Sequence, residues 1–501
     1  MCGIRGAAAQ CACSLCLVGK SYVIRTYGCQ MNEHDSERIS GLLEADGMWR
    51  ADDETQADVI VLNTCCIREN ADNKLYGALG NLKALKQVNP DLQIVVGGCL
   101  AQKDRDLILE RAAHVDVVFG THNVDRAVEL LNHSAEHGPT VEILEAAARA
   151  DGEAFPSALP TRREVDHASW VTVQIGCDNT CAFCIVPAVR GPEISRPFGE
   201  LVAEVSELAR DGVSEITLLG QNVNSYGRDL ALARRADPHS DDLHWCGWRW
   251  LADRRARPLF ADLLRDTGAV EGIHRVRFTS PHPKDMRSET FEAMAEVPEV
   301  CEHLHFPLQS GSDRILAAMH RGYTAQRYLD KLREARATIP DLAVSTDIIV
   351  GFPGETDDDF ACTLELAAQA EFDNAFTFVF SPREGTEAAE MTDDFVDHSV
   401  AVHRYERLRV VVERSSLAAN ESRIGLTEEV TVEGPSKKDP EVLSGRTRRN
   451  TLVHFPSPTP LRAGTYARVE VTAAGMNHLL GRLVDVTISA RHRTRIPVMS
   501  I

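Results

Sequence analysis

From Ser21 onward, short apolar runs of strand length alternate with longer stretches whose apolar positions recur at helical spacing. SYVIRTYG (21–28) reads as a strand, and DSERISGLLEADG (35–47) as a helix with Asp35 as its N-cap and Gly47 as its stop. ADVIVLNT (57–64) is a second strand, LYGALGNLKALKQ (75–87) a helix, and LQIVVGG (92–98) and VDVVFG (115–120) the third and fourth strands. Such alternation predicts a doubly wound, largely parallel sheet over 21–135. The Ala- and Glu-rich stretch 136–162, with Pro156 and Pro160, reads as a linker.

A second series follows in 163–400. Strand-like runs fall at VTVQIG (171–176), SEITLLG (214–220), HRVRFTS (274–280), HLHFPLQ (303–309), AVSTDIIVGF (343–352) and AFTFVF (375–380), with helical patterns in most of the gaps. Six βα units predict a barrel or part of one. A charged helix over 401–424 closes it, and four short β runs predict a small all-β module over 425–490, ahead of a basic tail at 491–501.

Composition narrows the class. The chain has 501 residues, 44% of them apolar, which requires a folded core and more than one domain. No stretch of about 18 uncharged apolar residues occurs, so the sequence predicts a protein with no membrane association. A net charge of −20 argues against indiscriminate coating of nucleic acid, but 434–469 is locally positive by five. Its cations are Lys437, Lys438, Arg446, Arg448, Arg449, Arg462 and Arg468, a candidate surface for a phosphate backbone or simply a solvated charged face. Fourteen cysteines, several in tight groups, point to metal ligation in a reducing compartment rather than to a disulfide scaffold. Residues 1–20 carry four of these cysteines without any strand or helix signal, and are read as a disordered extension with no function.

The most specific chemical signal is GCDNTCAFC, which sets Cys177, Cys181 and Cys184 in a CxxxCxxC array directly after a strand. Three thiolates on one loop can ligate three irons of a 4Fe-4S cluster and leave the fourth open for a substrate. A zinc loop, which would need a fourth ligand, is the alternative. A second signal is spread through the N-terminal sheet. Cys29, Cys65 and Cys99 each follow the carboxyl end of a different strand, the edge at which open parallel sheets place their ligands. Any one of them alone would suit a buried core position; three at the same relative place suggest ligation. Cys66, next to Cys65, is read as structural.

These stretches together resemble the methylthiotransferase family of radical S-adenosylmethionine enzymes. The resemblance runs from 21 to 485 through YGCQMNEHDSE, NTCCIRENADNKLYGALG, VVGGCLAQKD, IGCDNTCAFCIVPAVRGPEISRP, HLHFPLQSGSDRILAAMHRGY and STDIIVGFPGETDDDF. It implies an α/β architecture: an N-terminal parallel-sheet domain, a central radical-SAM partial (βα)6 barrel and a C-terminal TRAM β-barrel that binds RNA. It further implies a 4Fe-4S cluster on Cys177, Cys181 and Cys184 that holds S-adenosylmethionine, and a second 4Fe-4S cluster on Cys29, Cys65 and Cys99. The implied reaction places a methylthio group on carbon 2 of N(6)-isopentenyladenosine next to a tRNA anticodon. One S-adenosylmethionine would serve as radical source and another as methyl donor. The implied partners are tRNA and an electron-donating protein, in the cytoplasm, with a single chain sufficing. A sister methylthiotransferase acting on threonylcarbamoyl-adenosine or a ribosomal-protein aspartate is the near alternative, and a non-catalytic metal-binding RNA module the distant one.

No catalytic side chain is assigned beyond the cluster ligands. Gln221, Asn222, Ser280, His282, Gln309, Ser310, Asp313 and Arg383 follow barrel strands and are candidates to line the mouth, each equally suited to capping a loop. Gly351 in IIVGFPGE suits either close approach to a nucleoside or a Gly-Pro turn. The Trp-rich insertion at 229–258 departs from the family pattern and could crowd the mouth.

Overall fold

A computed structural model describes residues 19–66, 69–144, 159–236 and 257–490. The cysteine-rich extension, the tryptophans of the insertion and the basic tail lie outside the described residues. No helix among the described residues is long and apolar enough to cross a membrane.

The N-terminal body is a six-stranded sheet, and every strand pairing in it is parallel. From edge to edge its strands are Trp49–Arg50, Ser21–Tyr27, Val59–Thr64, Gln93–Gly97, Val117–Phe119 and Thr140–Glu142. Val59–Thr64 and Gln93–Gly97 are buried throughout, as a sheet covered by helices on both faces requires. Two expectations change here. Thr140–Glu142 lies inside the stretch read as linker, because Gly138 ends the preceding helix at φ +91° and frees TVE to add to the sheet edge. The first helix runs Gln30–Ala45, so it starts directly after Cys29, and Asp35 sits within it rather than capping it.

The central body carries six parallel strands in two groups: Ala168–Thr172, Glu215–Leu219 and Arg275–Phe278, then His303–His305, Ala343–Val350 and Asn374–Val379. A parallel bridge between Val276 and Val300 joins them into one curved wall. Residues Val171, Ile216, Leu218, Val276, Leu304, Val344 and Ile348 alternate outward into a single apolar core beneath the helices. The opposite face holds Arg277, His305, Ser345, Asp347 and Phe376, giving a polar lumen. The first strand is shorter than its sequence suggests. After Thr172 the chain leaves the wall, Gln174–Ile175 pairs antiparallel with Ile194–Ser195, and Gly176 turns at φ +73° into the cysteine loop. The fourth strand likewise stops at His305, ahead of Pro307.

Helix His398–Glu421 packs along the last strands of the wall and leads to a closed five-stranded barrel, Thr427–Pro435, Val442–Thr447, Leu452–Pro456, Leu479–Ile488 and Tyr466–Ala474. A Cβ on Gly351 would meet Ala401 Cβ of that helix at 2.6 Å, so packing and a turn at φ +72° account for this glycine.

The small barrel sits at the amino-terminal ends of the wall strands. Arg275, fully buried, donates to the carbonyls of Arg446 (2.8 Å) and Glu429 (2.9 Å) and to Glu429 Oε1 (3.0 Å). Arg277 donates to the carbonyls of Thr447 and Arg448 and to Glu215. Returning the contact, Arg448 binds Glu302, and Arg449 binds Asp341 and Asp373. These pairs correct the reading of 434–469 as one basic surface. Arg448 and Arg449 fasten the two bodies together, while Arg446 and Arg468 pair with Glu433 and Asp485. Lys437 and Lys438 remain on an exposed turn. Arg275→Met should leave those carbonyls buried without a donor and cost about 3–5 kcal/mol. The expected readout is a lower thermal midpoint together with faster proteolysis between the wall and the small barrel.

Candidate metal centre

Three chain segments converge at the carboxyl edge of the N-terminal sheet. Cys29 is the N-cap of helix Gln30–Ala45, Cys65 follows strand Val59–Thr64, and Cys99 opens helix Cys99–Asp104. The glycines beside them are dictated by the approach. A Cβ on Gly28 would fall 2.5 Å from Cys65 Cβ, and one on Gly98, at φ +93°, would fall 2.3 Å from Asn63 Oδ1. Asn63 and Asn32 staple strand to helix: Asn63 Nδ2 donates to the Asn32 carbonyl at 2.8 Å, and Asn32 Nδ2 to Asn63 Oδ1 at 3.2 Å.

The thiols interact with one another. A hydrogen bond with Cys65 lowers Cys29 to about 6 against the opposing effect of burial, with help from the charge of Arg190. A hydrogen bond with Cys66 lowers Cys99 to about 7, again against burial and again assisted by Arg190. Cys66 is pushed well above the ordinary thiol range as the donor in that pair. Helix N-termini at Cys29 and Cys99 add partial positive charge in the same sense. Cys66 thus belongs to the sulfur group by position, a change from its purely structural reading.

Arg190 joins this group from the central body. It ends the helix Val186–Arg190, six residues after Cys184, and donates from Nη2 to Asp35 Oδ2 at 2.8 Å, with both side chains buried. Burial works against its charge, but Cys99, Asp35 and Cys29 outweigh it and hold the guanidinium firmly protonated. On the same short helix and its lead-in, Val189 and Ile185 pack into the apolar core of the N-terminal sheet. Thr121 Oγ1 donates to the Val189 carbonyl at 2.7 Å, and His34 Nδ1 meets Thr172 Oγ1 at 2.8 Å. The N-terminal sheet therefore docks on the carboxyl ends of the wall strands, beside the second cysteine group.

That second group lies on the loop after the first wall strand. Cys177 and Cys181 are buried and Cys184 is nearly so. Arg321 Nη1 donates to Cys181 Sγ at 3.2 Å, and His282 Nε2 lies 4.0 Å from the same sulfur. Burial raises Cys177 to about 11 and Cys184 to about 12. Burial, then the Arg321 charge, keep His282 neutral.

The mouth candidates divide. Gln221 and Gln309 carry buried side-chain atoms without a hydrogen-bond partner among the described residues, as does Asn222 Oδ1. Asn222 Nδ2 donates to Asp285 at 2.9 Å, and the backbone turns at Ser280 and Gln309 with φ of +59° and +69°. Ser310 and Asp313 are local supports: Ser310 Oγ accepts from the Ser312 amide and Asp313 Oδ1 from the Ala325 amide. Arg383 lies close enough to Asp72 of the N-terminal body to influence its carboxyl group.

No three His, Cys, Asp or Glu side chains among the described residues are gathered to hold a single ion. The donor chemistry suits iron–sulfur clusters: two sets of soft thiols, with Cys29 and Cys99 shifted toward the thiolate form. The unpartnered Gln221 amide and the unpartnered side-chain oxygens of Asn222 and Gln309 offer the polar contacts that a bound amino acid and nucleoside require.

Comparison with known proteins agrees with this layout. Residues 171–367 match the radical SAM superfamily, 21–120 match the uncharacterized protein family UPF0004, and 421–484 match the TRAM domain. Fold and site together define a radical S-adenosylmethionine enzyme with an added N-terminal sheet and a TRAM barrel. The chain is 50% identical to the tRNA-2-methylthio-N(6)-dimethylallyladenosine synthase of Mycolicibacterium smegmatis, covering 95% of this chain and 89% of the relative. It is 50% identical to the synthase of that name from Nocardia farcinica, covering 95% and 91%. The chain belongs to the tRNA-2-methylthio-N(6)-dimethylallyladenosine synthase family.

Sequence reasoning missed Arg190, Arg321, Asp35 and His34. Arg190 and Arg321 carried a usable signal, since cations are the residues that stabilise thiolates and both stand in motif stretches already singled out. Asp35 was misassigned as a cap, and nothing local marked His34.

Because the folded pKa values of Cys29 and Cys99 are lowered, their thiolates persist above pH of about 6 and about 7 and are lost as pH falls through those values. In cluster-free protein the pH midpoints of alkylation should therefore lie far below those of Cys177 and Cys184, near 11 and 12. Arg190→Gln should move the Cys29 and Cys99 midpoints up by about 1–3 pH units, and Arg190→Lys by much less, as read by mass spectrometry.

Proposed function

We propose that this chain is a tRNA methylthiotransferase acting on N(6)-dimethylallyladenosine, with Cys177, Cys181 and Cys184 holding one 4Fe-4S cluster and Cys29, Cys65 and Cys99 a second. The observation that carries the reading is the convergence of two cysteine trios on either side of one short helix, Val186–Arg190. With S-adenosylmethionine bound, the first cluster supplies a hydrogen-abstracting radical, and the second supplies the sulfur that an unactivated aromatic carbon would not accept by ionic chemistry.

The protein's own groups bind and orient. Gln221, Asn222 and Gln309 offer free donors and acceptors beside the loop, and His282 and Arg321 fix Cys181. The N-terminal sheet docks over the wall through His34–Thr172 and Thr121–Val189, and the reaction requires both sulfur groups to face one water-poor space. At the far end of the wall, the TRAM barrel presents Lys437 and Lys438 to an RNA backbone. The electron comes from a separate donor protein, and the single chain works in the cytoplasm.

Anaerobic reconstitution with iron and sulfide should give about eight irons per chain, falling to about four when Cys29, Cys65 and Cys99 are all changed to alanine. Nucleoside analysis of tRNA from cells lacking the protein should show dimethylallyladenosine without its methylthio group; retention of that group would remove the assignment. Replacing Lys437 and Lys438 by alanine should weaken tRNA binding and reduce the slope of log affinity against log salt by about two.

A further inference from the structure

Two phenylalanines stand out on the last wall strand. Phe376 and Phe378 are 50% and 37% exposed, whereas Phe278 on the wall and Phe306 and Phe372 flanking its strands are buried. Both project to the lumen face, since Phe376 pairs with Asp347 and Phe378 with Ile349, while the alternating Ala375 and Val379 pack outward into the core. One step further along the same face, Phe380 and Ile349 pack against the apolar cluster that includes Ala182 of the cysteine loop, as does Phe183. At about 3.3 Å per residue, Phe378 and Phe376 lie within two pleats of that loop.

Beside them runs a directed hydrogen-bond chain. His303 Nε2 lies 3.1 Å from Ser345 Oγ, His305 Nδ1 lies 2.9 Å from the same oxygen, and His305 Nε2 lies 3.3 Å from Asp347 Oδ2. With Asp347 ionised, His305 Nε2–H donates to it, Ser345 O–H donates to His305 Nδ1, and His303 Nε2–H donates to Ser345. Every donor is then spent internally. Asp347 Oδ1 accepts no hydrogen bond among the described residues and is left as the chain's open acceptor. The His305 ring also meets Phe376 edge-on, with centroids 6.2 Å apart.

We propose that Phe376, Phe378 and Asp347 form the seat of the N(6)-alkylated adenine of the substrate RNA, and so set specificity for an adenosine already carrying its dimethylallyl group. This rests on the function proposed above. An N(6)-alkyl adenine offers one exocyclic N–H, which Asp347 Oδ1 accepts, next to a branched apolar chain and a π face, which the two phenylalanine rings cover. Unmodified adenine lacks the apolar chain and leaves the rings wet. His305 is a positioning residue: it holds Asp347 in the acceptor rotamer and supports Phe376 from its edge.

The test compares two anticodon stem-loop hairpins, one with N(6)-dimethylallyladenosine and one with adenosine, binding to reconstituted protein by fluorescence anisotropy. Wild type should prefer the alkylated hairpin, and Phe376→Ala should cut that preference about tenfold while iron content stays at the wild-type level. Asp347→Asn, which preserves shape, should weaken binding of both hairpins, since each base donates an N(6)–H, and His305→Gln should do so to a smaller extent. Unchanged preference in Phe376→Ala, or unchanged affinity for the alkylated hairpin in Asp347→Asn, would overturn the proposal. So would a fall in S-adenosylmethionine affinity as large as the fall in preference, which would assign the surface to that cofactor's adenine. If the wild type itself shows no preference, the function proposed above fails; if wild type and Phe376→Ala share the same preference, the seat lies elsewhere.

Discussion

A single buried cation ties the molecule together. Arg190 is carried by the central body, yet its guanidinium is neutralised by Asp35 and by the sulfur atoms of the N-terminal sheet. An unpaired charge at that depth would be costly, so the docked arrangement depends on Asp35 and the nearby sulfur atoms to compensate it. Docking also fixes the chemistry: the same charge that requires the thiolates lowers the cost of forming them. A five-residue helix that begins just after one cysteine loop thus reports directly to the other.

The remaining architecture is arranged along the axis of the wall. Both sulfur groups lie at the carboxyl ends of its strands, where loops are free to vary, and the TRAM barrel lies at the amino ends, held by Arg275, Arg277, Arg448 and Arg449. Much of the local basic charge is thereby spent on fastening. The two thiol sets are tuned oppositely by their surroundings. Helix termini, mutual hydrogen bonds and Arg190 favour charge in one set, and burial alone dominates Cys177 and Cys184 in the other. Cys177 and Cys184 thus hold their protons more tightly than Cys29 and Cys99.

Much of this was legible in the sequence, for identifiable reasons. Hydrophobic alternation is a direct imprint of burial, so strands such as Val59–Thr64 and Ala343–Val350 were readable to within a residue or two. CxxxCxxC is equally direct, because three ligands on one loop need no tertiary information. Boundaries governed by distant partners were not legible. Asp35 has the look of an N-cap, but its partner is 155 residues away; the strand Thr140–Glu142 is too short for periodicity to show. Charge was the least readable property. Seven cations in 434–469 looked like one surface, and only their carboxylate partners on other strands reveal which of them face inward.

The helix Val186–Arg190 has a consequence for how the protein is made. Synthesis proceeds from the amino terminus, so the first sheet leaves the ribosome with Asp35 bare and with an apolar hollow where Ile185 and Val189 belong. It stays unfinished until some fifty further residues beyond Thr140–Glu142 have been added. The sulfur atoms of Cys29 and Cys99 therefore lack the neighbouring Arg190 charge until that helix has been made.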